Sequence, residues 1–77
     1  MDPSYKTTVN GRPATVRYWA ETSNLNCEII IDGGGGSFSG NFGLKGSPRD
    51  LEYRHAALLI AEKYGLQLGQ MTCNSSF

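Results

Sequence analysis

His55 is the only histidine of this 77-residue chain, and it is the first residue to test for catalytic or metal-binding chemistry. Glu62 follows two helical turns later, on the same stripe if the segment is helical. Metal binding and acid–base catalysis both require a third group that converges on the same point. Glu52 lies one turn away toward the side and does not converge with His55. We therefore interpret this face as a solvated helix surface with ordinary charge pairing.

The two cysteines, Cys27 and Cys73, are too few for a disulfide framework and stand in no CxxC or Cys-His metal pattern. Cys27 alternates with isoleucines, so we expect a buried thiol with no neighbour that lowers its pKa. The glycines at 33–36 lack the Gly-Lys-Ser/Thr ending of a phosphate-binding loop, so we interpret them as a hairpin connection. The sequence therefore predicts a protein that is not an enzyme, with no catalytic residue, no metal site and no cofactor.

Charge and composition exclude further classes of protein. Seven Lys and Arg balance seven Asp and Glu, which gives a formal net charge of zero. A neutral chain lacks the basic surface of nucleic-acid coats and polybasic membrane anchors. The sequence has no apolar run of membrane-spanning length, and its first residues lack the apolar core of a signal peptide. We expect one small cytoplasmic domain over 1–77, with a frayed tail over 70–77.

The first hairpin is predicted by Asn10-Gly11, a dipeptide that accepts the positive φ angles of a two-residue type I′ turn. This turn sets a register in which Tyr5 pairs with Val16. Because side chains alternate along a strand, Val16 then lies on one face of the sheet and Arg17 on the other.

Two further hairpins extend the predicted sheet to four strands. Pairing across the turn at 22–25 places Ile29 opposite Tyr18, and pairing across the glycines places Phe38 opposite Ile31. Apolar residues meet on the same face each time, which is the consistency expected of a real sheet. Two roles for residues 66–68, a short fifth strand or an edge cover, are left open.

A helix is predicted after the sheet, with Ser47 as N-cap, Pro48 at the first helical position and Gly65 as the left-handed C-cap. Gly40 on the facing strand allows the helix a close approach. Arg54 interrupts the apolar side and is expected to extend past the sheet edge or pair with an acid. The apolar side consists of Leu51, Tyr53, Ala57, Leu58, Ile60, Ala61 and Tyr64. The fold class is therefore α+β, a four-stranded antiparallel β-meander with one C-terminal α-helix packed on one face.

The opposite face of the sheet, here called the outer face, has no second predicted helix to cover it. Trp19 and Arg17 are predicted to lie side by side there, and both residue types are enriched in binding hot spots. An alternative is that a chain terminus covers Trp19, or that Trp19 only stabilises the sheet by stacking on Arg17. The predicted partner-binding residues are Trp19, Arg17, Lys6, Ile30, Glu28 and Asp32.

The size and layout of the chain resemble those of small phage-encoded inhibitors of bacterial defence, the anti-CRISPR proteins among them. Several of these are also single-helix domains with an antiparallel sheet. The resemblance implies a non-catalytic inhibitor that occupies a protein surface, with a host CRISPR–Cas effector complex as partner. Since this chain is neutral, we expect a contact built on Trp19 and Arg17 and not a mimic of nucleic-acid charge.

A second hypothesis is a small nucleic-acid-binding module that uses the outer face. Trp19 and Tyr5 would stack on bases. Phosphates would be contacted by Lys6, Arg12 and Arg17. Glu28 and Asp32 lie on the same face, and their negative charges weaken its attraction for phosphates. The sequence does not decide whether two copies pair through their unpaired sheet edges to form a homodimer.

Overall fold

A computed structural model describes residues 3–74. The elements are β1 (Ser4–Val9), β2 (Arg12–Ala20), β3 (Asn24–Ile31), β4 (Ser37–Gly43), α1 (Asp50–Tyr64) and β5 (Thr72–Cys73). The strands form one antiparallel sheet in the order β4-β3-β2-β1-β5, and α1 packs on one face, the inner face. The α+β class with an antiparallel sheet and one helix is confirmed, and the predicted four strands become five.

The β1–β2 hairpin has the predicted register. Tyr5 lies opposite Val16, and Val9 lies opposite Arg12. Asn10 and Gly11 both have positive φ, 52° and 82°, as a type I′ turn requires.

The β2–β3 hairpin corrects the predicted register. Cys27, not Ile29, lies opposite Tyr18. The turn is tighter than predicted, because the backbone groups of Glu21 and Asn24 bond to each other at 2.8 and 3.3 Å. The register is displaced by an even number of residues, so each side chain keeps its predicted face.

The β3–β4 hairpin is displaced in the same way. Phe38 lies opposite Ile29 and not opposite the predicted Ile31. The loop is closed by a bond from the N–H of Ile31 to the carbonyl of Gly36 at 2.9 Å. Phe38 and Phe42 still face inward and pack against the core.

Helix α1 begins later than predicted, with Arg49 and not Ser47 as the N-cap. Glu52 accepts the backbone N–H of Arg49 at 2.9 Å, which satisfies a donor that the first turn leaves unpaired. Gly65 ends the helix in the left-handed conformation, with φ 68°, as predicted.

The side of α1 that packs on the sheet is narrower than predicted. Its buried residues are Tyr53, Ala56, Ala57, Ile60 and Ala61. Leu51, Leu58 and Tyr64 are 74%, 53% and 45% exposed, so their predicted burial is wrong. One helix on one sheet buries only the stripe that faces the strands. The close approach at Gly40 is present, since a Cβ there would lie 3.0 Å from Ile60 Cγ1.

The C-terminal segment differs from the frayed tail predicted over 70–77. β5 pairs with β1, and the N–H of Asn74 donates to the carbonyl of Ser4 at 2.8 Å. Met71 is buried. Residues 75–77 lie outside the described residues.

The residues that precede β5 in the chain also run alongside β1. Leu68 forms an isolated bridge with Val9, and the N–H of Gly69 donates to the carbonyl of Thr8 at 2.9 Å. This is the edge cover that the sequence left open for 66–68. The backbone groups on that side of β1 are therefore largely paired.

Three tyrosines join α1 to the first two strands. The hydroxyl of Tyr18 donates to the carbonyl of Tyr53, and that of Tyr5 donates to Asp50, both at 2.5 Å. The rings of Tyr5 and Tyr18 meet edge to face at 5.6 Å, and those of Tyr18 and Tyr53 at 4.8 Å. Burial, the first cause, raises the pKa of Tyr18 far above its usual value, so the phenol stays neutral and donates.

Arg54 links this tyrosine cluster to the C-terminal segment. Its guanidinium lies 5.2 Å from the ring centre of Tyr5 and donates to Asp50 and to the carbonyl of Met71, each at 2.8 Å. The acid it pairs with is thus on its own helix. Hydrogen bonds from Tyr5 and then from Arg54 hold the pKa of Asp50 below its usual range.

Candidate binding surface

Trp19 is the largest exposed side chain of the outer face. It is 42% exposed, so no described residue covers it completely. Asn26 lies opposite it on β3, and Asn41 follows on β4 and donates to the Asn26 side chain at 2.5 Å. Trp19 therefore stands at one end of a row of amides that offer further hydrogen bonds.

Arg17 and Glu28 form the next row. They are cross-strand partners, and Ser39 follows on β4. Among residues 3–74, neither Arg17 nor Glu28 takes part in an ion pair. Both charges thus remain available to a ligand beside Trp19.

Lys6 and Asp32 belong to a more self-contained part of the outer face. Lys6 Nζ donates to Thr15 Oγ1 at 2.8 Å, and Thr15 Oγ1 donates to Asp32 Oδ1 at 3.2 Å. Lys6 Nζ also lies 3.9 Å from Asp32 Oδ2. Ile30 is opposite Thr15 and only partly exposed. These groups largely satisfy one another.

All six predicted residues lie on one face, yet they form two groups with different properties. The Trp19 group combines an exposed ring with two charges, Arg17 and Glu28, that form no ion pair within residues 3–74. In the second group, the Lys6 group, the charges of Lys6 and Asp32 are already close to each other and are bridged by Thr15. The first group is the better candidate for a contact, because its polar atoms need no existing bond to be broken.

A small cavity of about 260 Å³ adjoins Trp19. Its volume suits a single side chain of a partner. The lining residues are Trp19, Asn26, Cys27, Ser39, Gly40 and Asn41.

A second surface was not predicted from the sequence. A groove of about 660 Å³ runs between α1 and the C-terminal half of β4, and we call it the α1/β4 groove. Leu51 lines it, although the sequence placed Leu51 on the packed side of the helix. Leu51, Leu58 and Leu59 share one arc of the helix, away from its buried side, and this second apolar arc was a signal that one sheet face cannot bury them all. The lining residues are Leu25, Asn41, Phe42, Gly43, Leu44, Leu51, Glu52, His55, Ala56 and Leu59.

Within residues 3–74, the side chains considered for catalysis or metal binding do not come together in one site. His55 is exposed beside the α1/β4 groove, and no group of three or more His, Cys, Asp or Glu that could hold a metal occurs within 3–74. Cys27 is buried, as predicted, and burial raises the pKa of its thiol to about 12. A thiol with so high a pKa is a poor nucleophile at neutral pH.

Comparison with known proteins finds no matching family, no similar curated protein and no matching solved structure. In the part of the chain that the structure describes, no helix is long and apolar enough to cross a membrane.

Proposed function

We propose that this chain is a small, non-catalytic, cytoplasmic binding protein that acts by occupying the surface of a partner protein. The contact is the Trp19 end of the outer face. The observation that carries the proposal is Trp19 itself, 42% exposed on a sheet face that no described element covers. Large aromatic side chains bury much apolar area at low entropic cost, which makes them frequent anchors of protein interfaces.

The charges around Trp19 support a protein partner. Arg17 and Glu28 offer opposite signs next to each other without an ion pair in the described chain. A mixed polar rim around an aromatic anchor is typical of protein interfaces. The adjoining cavity would accept one partner side chain.

The first partner class to test is a bacterial CRISPR–Cas effector complex. This choice rests on the resemblance in size and layout to phage-encoded anti-defence inhibitors. The neutral chain favours a protein surface of the complex over a site that recognises nucleic-acid charge.

A nucleic-acid-binding function has less support. Single-strand binders combine several stacking aromatics with a positively charged groove. Here Lys6 already interacts with Asp32, and Glu28 lies opposite Arg17. Phe38 and Phe42 face inward and pack against the core, so they offer no stacking platform on the outer face.

Binding to a panel of purified effector complexes tests the proposal, with Trp19 fluorescence as the readout, since the chain has a single tryptophan. A true partner protects Trp19 from iodide quenching. Trp19→Ala and Arg17→Glu, assayed by surface plasmon resonance, should each weaken binding by about tenfold or more.

Matched controls are Leu58→Ala, an exposed apolar residue on α1, and Lys45→Glu, an exposed charge in the loop before α1. Both should bind like the unaltered chain. Normal binding by folded Trp19→Ala would show that the outer face is not the contact. Salt-sensitive binding to DNA or RNA that Trp19→Ala abolishes would favour the nucleic-acid alternative.

A further inference from the structure

The two edges of the sheet differ in how their backbone groups are used. On the β1 side, β5 and residues 67–69 occupy the edge. On the β4 side, no element within residues 3–74 pairs with the outer side of the strand. β4 contains no charged residue and no proline, the devices that commonly protect an exposed edge. It is a seven-residue strand open to pairing.

The phase of the β3–β4 ladder determines which groups of β4 are unpaired. The N–H of Ile31 bonds to Gly36, and that of Leu44 bonds to Ser23, so even-numbered residues of this segment pair with β3. In an antiparallel strand the intervening residues direct their N–H and C=O to the opposite side. The outward-directed residues of β4 are Ser37, Ser39, Asn41 and Gly43.

These outward groups match those of a second copy. Antiparallel pairing centred on Gly40 puts Ser39 opposite Asn41 of the other copy, and both residues direct their backbone groups across the junction. Phe38 comes opposite Phe42 on the inner side, an aromatic cross-strand pair. No like charges meet, since β4 has none.

The surface above β4 is also self-complementary in shape. Over its N-terminal half, the rings of Phe38 and Tyr64 are in tilted contact with their centres 5.1 Å apart, and Tyr64 is 45% exposed; we call this pair the ridge. Over its C-terminal half lies the α1/β4 groove, lined by Phe42 and Leu51. Antiparallel pairing brings the ridge of each copy next to the groove of the other.

The charges beside the ridge and the groove are complementary as well. Lys63 Nζ lies 5.5 Å from the ring centre of Tyr64. Glu52 lines the groove. Glu52 Oε1 also lies 3.5 Å from Arg49 Nε, so a ridge that enters the groove brings an ammonium group toward a carboxylate that already has one cationic neighbour.

We propose that two copies of this chain form a two-fold symmetric dimer by pairing β4 with β4, with the ridge of each copy seated in the α1/β4 groove of the other. The dimer has one continuous sheet with both helices on the same side. It leaves both Trp19 surfaces exposed on the outer face, so it does not depend on the proposed function. Two linked contacts would raise the avidity for a partner that presents two sites.

Sedimentation equilibrium from low micromolar to millimolar concentration tests dimerisation of the isolated chain. The mass should rise with concentration from 8.4 kDa toward twice that value. A mass of 8.4 kDa at every concentration would overturn the proposal.

The edge is tested with Ser39→Pro, which removes one outward N–H and leaves the bonds to β3 intact. Ser39→Thr is its matched control, because it keeps the N–H. We expect Ser39→Pro to remain monomeric and Ser39→Thr to dimerise. A folded Ser39→Pro chain that dimerises as well as the control would contradict β4 pairing.

The groove is tested with Leu51→Asp, which leaves the strands unaltered. Leu51 is solvent-exposed in the single chain, so the substitution should fold, but in the dimer it buries a carboxylate and should weaken association by about a hundredfold. Leu58→Asp changes an exposed leucine that does not line the groove and should dimerise normally. Equal dimerisation of both variants would exclude the groove from the interface.

The register is tested by oxidation of a chain that carries Ser39→Cys and Asn41→Cys together with Cys73→Ser. The proposed pairing puts these positions opposite each other across the junction, within the Cα separation that a disulfide needs. Covalent dimers should form rapidly. The chain with Ser37→Cys and Asn41→Cys should cross-link more slowly, and the reverse order of rates would overturn the register.

Discussion

The two edges of the sheet differ in whether the outer side of the edge strand is paired. The β1 edge is closed by a short C-terminal segment, whereas β4 is a longer strand whose outer side has no partner in the described chain. Intrinsic strand propensity does not explain this difference, because β5 has only two residues. The closed edge is held from the side by Arg54, which bonds to the carbonyl of Met71, and by burial of the Met71 side chain. The β1 edge is thus closed where the Arg54 side chain reaches it from α1, although the helix itself packs against β3 and β4.

Removal of residues 67–77 should have the largest effect, because it opens the closed edge. It exposes the core around Met71 and the backbone groups of β1. The free energy of unfolding should fall by about 3 kcal/mol or more, measured by urea unfolding. Removal of 75–77 alone is the comparison, because it keeps β5 and residues 67–74. Equal midpoints for both truncations would mean that the closed edge contributes nothing to stability.

Gly40→Val should have the next largest effect, on the open edge. A Cβ at this position lies 3.0 Å from Cγ1 of Ile60, which is fully buried and cannot move away. We expect a loss of about 2 kcal/mol in the free energy of unfolding. Gly43→Val, on the same strand, has open space around its Cβ and should be neutral or stabilising. A neutral Gly40→Val would show that α1 does not press closely on β4.

Acid should weaken the closed edge through Asp50. The folded state holds the pKa of Asp50 below its unfolded value, so this carboxylate contributes stability above the unfolded pKa. That contribution is lost as the pH falls through the folded pKa. Asp50→Asn should therefore flatten the acid limb of the urea midpoint plotted against pH. An unchanged acid limb in Asp50→Asn would contradict a role for this carboxylate.

Trp19→Ala should have the smallest effect on stability, since Trp19 belongs to neither edge and is 42% exposed. The free energy of unfolding should change by about 0.5 kcal/mol or less in thermal or urea unfolding. The same variant is expected to lose partner binding. A large destabilisation would instead indicate that Trp19 has a structural role in the sheet.

Local signals in the sequence predicted the parts of the fold that depend on one or two residues. Asn10-Gly11 specified the first register, because few residues accept positive φ at both positions. Gly65 marked the helix end for the same reason. The turns of the next two hairpins carry no such unique signal, so their registers were displaced while the faces were retained.

The sequence predicted which residues lie on the outer face, since the alternation of side chains along a strand is enough to assign Trp19 and Arg17 to the same side. The sequence did not predict that these residues divide into two groups, because the hydrogen bonds among Lys6, Thr15 and Asp32 depend on side-chain conformations. The α1/β4 groove was missed entirely. Its position depends on how the helix crosses the sheet, which no local pattern encodes.

The sequence by itself determined the two faces of the sheet, the first hairpin, the helix end and the buried thiol of Cys27, because each follows from periodicity or from the conformational range of single residues. Only the tertiary structure decided which edge is closed and which leucines of α1 stay exposed. These depend on contacts between distant segments, such as Tyr5 with Asp50 and Arg54 with Met71, whose geometry exists only once the helix has packed.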